Sequence, residues 1–187
     1  MLEYIGDHLK STLSVTTLQG LASSPTPTKV EVASGHSLHA PGHVIQVQSA
    51  QLTAANQFTV TSTTQADIMS VTITPKFASS KILFQMAGDC GSSGTNKALL
   101  IRLQRNIGGG SFSTLCGTGG VYLSGAYEHC AMSFMDSPNT TSACIYKLQG
   151  GLSATTSTGY FPTGWSGSGQ WTNAQDINTI SVMEIAQ

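Results

Sequence analysis

From Val44 to the end, the chain is a succession of short apolar, β-branched stretches separated by Gly, Ser, Thr and Asn. The clearest are Val44-Ile45-Gln46-Val47, Ile68-Met69-Ser70-Val71-Thr72-Ile73, Lys81-Ile82-Leu83-Phe84-Gln85-Met86 and Ile180-Ser181-Val182-Met183-Glu184-Ile185. They are β-branched, have the lengths of strands and are bounded by turn residues, so they constrain the chain to a β architecture. Only 9% of residues are Asp, Glu, Lys or Arg, against roughly 25% in an average soluble domain. So few ionised groups leave little to keep copies apart or to run acid–base chemistry. The pattern points to a β-rich structural or binding module that buries much of itself, in part against copies of itself.

The 187 residues fit one β domain with an appended arm, and a hydrophobic fraction of 40% is enough for a core. A formal net charge of −1 provides no basic field, so a nucleic-acid partner is not expected. No apolar run approaches the roughly 18 residues that cross a bilayer, and membrane insertion is not expected either. The opening Met1-Leu2-Glu3-Tyr4-Ile5-Gly6-Asp7 is acidic where a secretory signal would be basic, which leads us to expect folding in a cytoplasm. Cys90, Cys116, Cys130 and Cys144 include no C-x-x-C pair, so a zinc knuckle is not indicated. A hairpin around Ser137-Pro138 would set Cys130 and Cys144 about three residues out of register. All four are expected to be free thiols acting as small hydrophobes.

Residues 1–42 are read as an anchoring arm and 43–187 as the β domain. In the arm, Ile5, Leu9 and Leu13 recur at helical spacing, and Ser23-Ser24-Pro25-Thr26-Pro27-Thr28 reads as an extended linker. Residues 29–42 read as a small hairpin that ends at Pro41-Gly42. Strands are expected near 43–49, 56–61, 67–74, 81–88, 97–105, 111–115, 127–135, 142–149 and 177–186. Turn signals such as Thr74-Pro75, Gly108-Gly109-Gly110 and Asp136-Ser137-Pro138-Asn139 separate them. This spacing predicts an all-β fold, an antiparallel β-sandwich. Both tryptophans fall in a Gly-rich segment, 156–174. Its Tyr160, Phe161, Trp165 and Trp171 are candidate recognition residues, with packing on a subunit interface or over the sandwich as the alternative.

The inventory for catalysis is thin. The carboxylates are Glu3, Asp7, Glu31, Asp67, Asp89, Glu128, Asp136, Asp176 and Glu184, and no two lie within three residues of each other. No nucleophile elbow, zinc-protease helix, phosphate loop or dinucleotide fingerprint is present, so no catalytic residue and no cofactor are assigned. Gly108-Gly109-Gly110 is expected to be a hairpin turn, not a phosphate cradle. His36, His39 and His43 could bind a metal around a threefold axis. No carboxylate or thiolate stands beside them, so they are read as polar caps and no metal ligand is assigned. Glu128 and His129 should face opposite sides of a strand, with His129 partly buried. Arg102 and Arg105 should also face opposite ways; an inward Arg would require a carboxylate partner, and an Arg facing a neighbouring subunit is the equal alternative.

Several strings in order carry a resemblance: Pro75-Lys76-Phe77-Ala78-Ser79-Ser80-Lys81-Ile82-Leu83, Arg102-Leu103-Gln104-Arg105, Met132-Ser133-Phe134-Met135-Asp136-Ser137-Pro138-Asn139-Thr140-Thr141-Ser142, Tyr146-Lys147 and Thr179-Ile180-Ser181-Val182-Met183-Glu184-Ile185. With the lead-in Val32 to Val47, they resemble a domain common at the C-terminal end of tail-fibre proteins of tailed bacteriophages. The resemblance spans about 29–187. It implies a jelly-roll-like β-sandwich that forms a homotrimer on the virion surface, assembled in the host cytoplasm and without a catalytic motif. It further implies attachment to other virion proteins (tail, adaptor or capsid) through the arm, for which Ile5, Leu9 and Leu13 are candidates. The aromatic segment would then meet a host-surface glycan or receptor. Tail fibres usually carry a long shaft, and here only about 28 residues precede the matching region. A capsid decoration protein, of the cement or head-fibre kind, is therefore the alternative. A surface glycosidase and a lectin-like module stand behind both.

Overall fold

The computed structural model describes residues 38–53, 58–92, 97–117, 121–123, 127–156, 158–161 and 177–187. The candidate anchoring residues Ile5, Leu9 and Leu13, the linker, His36, Trp165 and Trp171 lie outside them.

Eleven strands are described: β1 (Val44–Thr53), β2 (Phe58–Val60), β3 (Ala66–Ile73), β4 (Lys81–Ser92), β5 (Lys97–Ile107), β6 (Ser113–Gly117), β7 (Val121–Leu123), β8 (Tyr127–Asp136), β9 (Cys144–Leu152), β10 (Gly159–Phe161) and β11 (Ile177–Ile185). All nine expected strands are present. Two further strands that were not expected, β7 and β10, are three residues long. None of the described residues is helical, and among them there is no helix long and apolar enough to cross a membrane.

The strands form two antiparallel sheets. The six-stranded sheet has β4 at its centre. One edge of β4 pairs with β8 along Ile82 to Gly91. The other edge pairs first with β11, from Lys81 to Ala87, and then with β10 at Gly91 and Ser92. β1 lies outside β11 and β2 outside β10. The five-stranded sheet runs β3-β9-β5, with β6 and β7 sharing the far edge of β5.

Alternation then builds the core. On β4 the inward positions are Ile82, Phe84, Met86 and Cys90; on β11, Ile180 and Val182; on β5, Leu99, Ile101 and Leu103; on β9, Cys144, Tyr146 and Leu148. The Phe84 ring of one sheet stacks on Tyr146 of the other, with centroids 6.3 Å apart. At about 25 cal/mol per Å² this apolar burial is the main favourable term.

Two expectations are corrected. Residues flanking Ser137-Pro138 do not form a hairpin: β8 belongs to the six-stranded sheet and β9 to the five-stranded one, so the connection crosses between sheets. Asn139, at φ +52°, supplies the left-handed residue that this reversal requires. In the lead-in, Leu38 to Ala40 are not strand. Pro41 and Gly42 form a turn, with Gly42 at φ +81° and the His43 N–H donating to the Ala40 carbonyl. The Gly42 N–H then donates to the Ala186 carbonyl, and the His39 ring meets Phe77 edge-on at 4.5 Å.

Gly108 and Gly109, at φ +58° and +81°, form the two-residue turn between β5 and β6, closed by the Gly110 N–H on the Ile107 carbonyl. Positive φ at both central positions is the type I′ geometry that matches strand twist. The run is therefore the hairpin turn expected of it.

Candidate interaction surface

The ionised side chains of the sandwich are largely committed inside the chain. Arg105 points inward from β5, and its Nη1 donates to both oxygens of Asp136 on β8, at 2.7 and 2.6 Å. This is the carboxylate partner that an inward arginine was expected to need. The Tyr146 hydroxyl donates to the same carboxylate at 2.7 Å and the Ser137 N–H at 2.8 Å. Burial, followed by its hydrogen bond to Asp136, pushes the Tyr146 phenol up, so it stays neutral. Burial works against the Arg105 charge, but Asp136 outweighs it and holds the guanidinium protonated.

Glu184 makes the second clamp from a fully buried position on β11. It accepts from Gln46 Nε2 at 2.6 Å and from the N–H groups of Lys76 and Phe77 at 2.8 and 3.1 Å. Burial alone would raise its pKa; the donors outweigh burial and hold it below the usual carboxylate value. Asp136 thus fixes the β8–β9 crossing and Glu184 the β3–β4 crossing. Neither carboxylate is open to a substrate.

The two outer faces differ. On the five-stranded sheet the face is polar and cross-linked. Asp67 accepts from Lys147 Nζ at 3.1 Å and from Gln149 Nε2 at 2.5 Å. The Gln149 amide also accepts from Arg102 Nε at 2.7 Å, and Lys147 Nζ lies 3.8 Å from the centroid of the Phe112 ring. The hydrogen bond from Gln149 leads in holding Asp67 below its ordinary value.

On the six-stranded sheet, register sets the outward residues in rows across β8, β4, β11 and β1. Met135, Leu83, Met183 and Val47 form a bulky row. Ser133, Gln85, Ser181 and Ser49 form the next. Ala131, Ala87, Thr179 and Gln51 form a third. Met135 and Val47 are 47% and 52% exposed. Over the second and third rows lies an open depression of about 560 Å³, lined by Gln85, Met86, Ala87, Ala131, Met132, Ser133, Thr179 and Ser181. Charge appears only at the ends of the face: Lys81 at one, and Asp89 with His129 at the other, where His129 Nδ1 is 3.0 Å from Asp89 Oδ1. His129 is therefore on the outer face and exposed, not partly buried as expected, and the inward neighbour is Cys130. A face with this lining offers contact area and weak hydrogen bonding. It does not offer acid–base chemistry.

Of the sequence-predicted recognition residues, only Tyr160 and Phe161 are described, on β10 at the Asp89 end of the same sheet. Phe161 is fully buried in the core, which corrects the expectation of a surface ring: on β10 it takes an inward position. Tyr160, its neighbour, is half-buried. Cys90, Cys116, Cys130 and Cys144 are free thiols, three of them buried. Among the described residues no three His, Cys, Asp or Glu side chains converge as a metal site. The uncharged face was missed in the sequence because its rows exist only after four strands are set in register. One signal was available: the single acid of the Ile180–Ile185 stretch falls on the inward parity, leaving the outward parity without charge.

No family model matches the chain, and no curated protein sequence does. Among solved structures, the chain is similar to that of the Gx strain of infectious bursal disease virus, at 13% identity over 87% of this chain and 42% of that one, with a TM-score of 0.44. The Gt strain of the same virus gives 11% identity over 89% and 44%, with a TM-score of 0.42. The chain thus spans less than half the length of either. Likeness this distant carries no statement about what this chain does.

Proposed function

We propose that the chain is a non-enzymatic structural protein of a tailed-bacteriophage virion, a tail-fibre-type subunit that forms a homotrimer and is attached through residues 1–42. One observation carries this reading. The strings that resemble the tail-fibre domain contain both inter-sheet clamps: Arg105, Asp136 and Tyr146 in one, Lys76, Phe77 and Glu184 in the other. The resemblance therefore rests on residues that set the sandwich, and it spans both sheets. The spending of ionised groups on internal clamps also favours a passive role over a glycosidase. Tyr160, Trp165 and Trp171 remain the candidates for host contact.

The test is made on purified particles, by quantitative mass spectrometry and by imaging with an antibody to this chain. A fibre subunit is expected at the tail in a few tens of copies, and a decoration protein on the capsid at on the order of hundreds. Absence from particles would overturn both. Release of sugars from host polysaccharide by the purified chain would overturn the non-enzymatic reading.

A further inference from the structure

The outer face of the six-stranded sheet is complementary to itself. Along β4 from Lys81 to Asp89 its outward residues are Lys81, Leu83, Gln85, Ala87 and Asp89. A cation stands at one end, an anion at the other, and an uncharged amide halfway between. A two-fold axis lying between two facing copies, perpendicular to the strands at Gln85, sets Lys81 of each copy over Asp89 of the other. The same rotation sets Leu83 over Ala87.

The flanking strands follow the same pattern. Met135 and Met183 stand opposite Leu83 across the ladder, and Ala131 and Thr179 stand opposite Ala87. The bulky row of each copy therefore falls over the small row of the other, where the depression lies. Size and charge reverse together about one row, the row of Ser133, Gln85 and Ser181. Within its own chain Lys81 has no ion-pair partner among the described residues, so its charge is available across such a contact. An isologous interface requires this self-matching of one patch. Face-to-face sheets that bury their facing side chains are a stable arrangement of twisted sheets.

We infer that this face is a two-fold contact between copies of the chain, with β4 packed antiparallel over β4 and Gln85 on the axis. The contact goes beyond the trimer proposed above and does not depend on it.

The experiment is sedimentation equilibrium of the full chain, and then of Gln85→Glu and Gln85→Lys separately and mixed. Gln85 is exposed, so both variants should keep the wild-type circular dichroism. A wild-type mass of two or six chains supports the contact, and six supports the trimer as well. A mass of one or three overturns the contact, and three does so while leaving the trimer standing. On the axis each variant meets its own charge, so each alone should associate at least about tenfold more weakly across this interface. Mixing the two should restore association as a heteromer. Variants that associate as the wild type does, or a mixture that gains nothing, would overturn it.

Discussion

Gly88 shows how closely one residue is specified by its surroundings. At this point on β4 the pairing with β11 has ended and that with β10 has not begun. Asn178, almost fully buried, fills the gap: its Oδ1 accepts from the Asp89 N–H at 2.7 Å and its Nδ2 donates to the Asp89 carbonyl at 2.9 Å. The side chain replaces a missing strand. It passes so close over position 88 that an added Cβ would lie 2.0 Å from Asn178 Oδ1 and 2.1 Å from its Cγ. Gly88→Ala should therefore lower stability by about 2 kcal/mol or more, read by urea unfolding. Asn178→Ala should cost about 1–3 kcal/mol by leaving the Asp89 peptide groups unpaired. The double variant should cost less than the sum of the two, because Asn178→Ala takes away the two nearest clashing atoms and leaves only its Cβ, 2.7 Å from the added methyl. Strict additivity would show that the overlap is not what excludes a side chain at Gly88.

Elements are joined here by buried acids placed where the chain changes sheet. The Pro75–Ser80 connection has backbone donors at Lys76 and Phe77 that would otherwise be unpaired, and Glu184 reaches both from β11. Because its folded pKa lies below the usual value of 4.5, its contribution is complete above about pH 4.5. It is lost as pH falls through the folded value. Glu184→Gln should thus be less stable than wild type at neutral pH by about 1–3 kcal/mol, with a gap that narrows in acid. Thermal melts at a series of pH values between 7 and 3 check this. A gap independent of pH would mean that the carboxylate charge plays no part.

At the scale of the whole molecule, Asp136 ties the sheets together. It receives Arg105 from β5 and Tyr146 from β9 while itself belonging to β8. Removing one partner of a buried pair strands the other, at about 3–5 kcal/mol. Arg105→Met alone should cost that much, and Tyr146→Phe only about 1 kcal/mol. Arg105→Met with Asp136→Leu should recover much of the loss, since no charge is then left unpaired. Chemical denaturation of the four proteins tests the order. A double variant no more stable than Arg105→Met would show that the pair does more than neutralise itself. The same division of labour explains the outer surfaces. Charges used as clamps and as a ladder over the five-stranded sheet leave the six-stranded face open for contact with a second copy.

How much of this was legible in the chain follows from the range of each interaction. Strand identity, side-chain alternation and the Gly108-Gly109 turn are local, set by strand geometry and by φ, and so they stood in the sequence; which parity turns inward depends on the sheet, and His129 and Phe161 were both assigned the wrong one. That an inward member of the pair Arg102 and Arg105 would need an acid also stood there, because burying a charge has a known cost, but neither which arginine nor which acid did. Asp136, 31 residues on, becomes the partner of Arg105 only when β5 and β8 meet from opposite sheets. The Ser137-Pro138 reversal looked like a hairpin because a turn signal fixes a change of direction and not the sheet that the next strand joins. Phe161 looked like a surface ring because glycines surround it, yet three residues of pairing with β4 and β2 are enough to turn it inward. The rows of the open face are the extreme case. Each row draws one residue from each of four strands, and only hydrogen-bond register, which is a property of the folded sheet, brings them side by side.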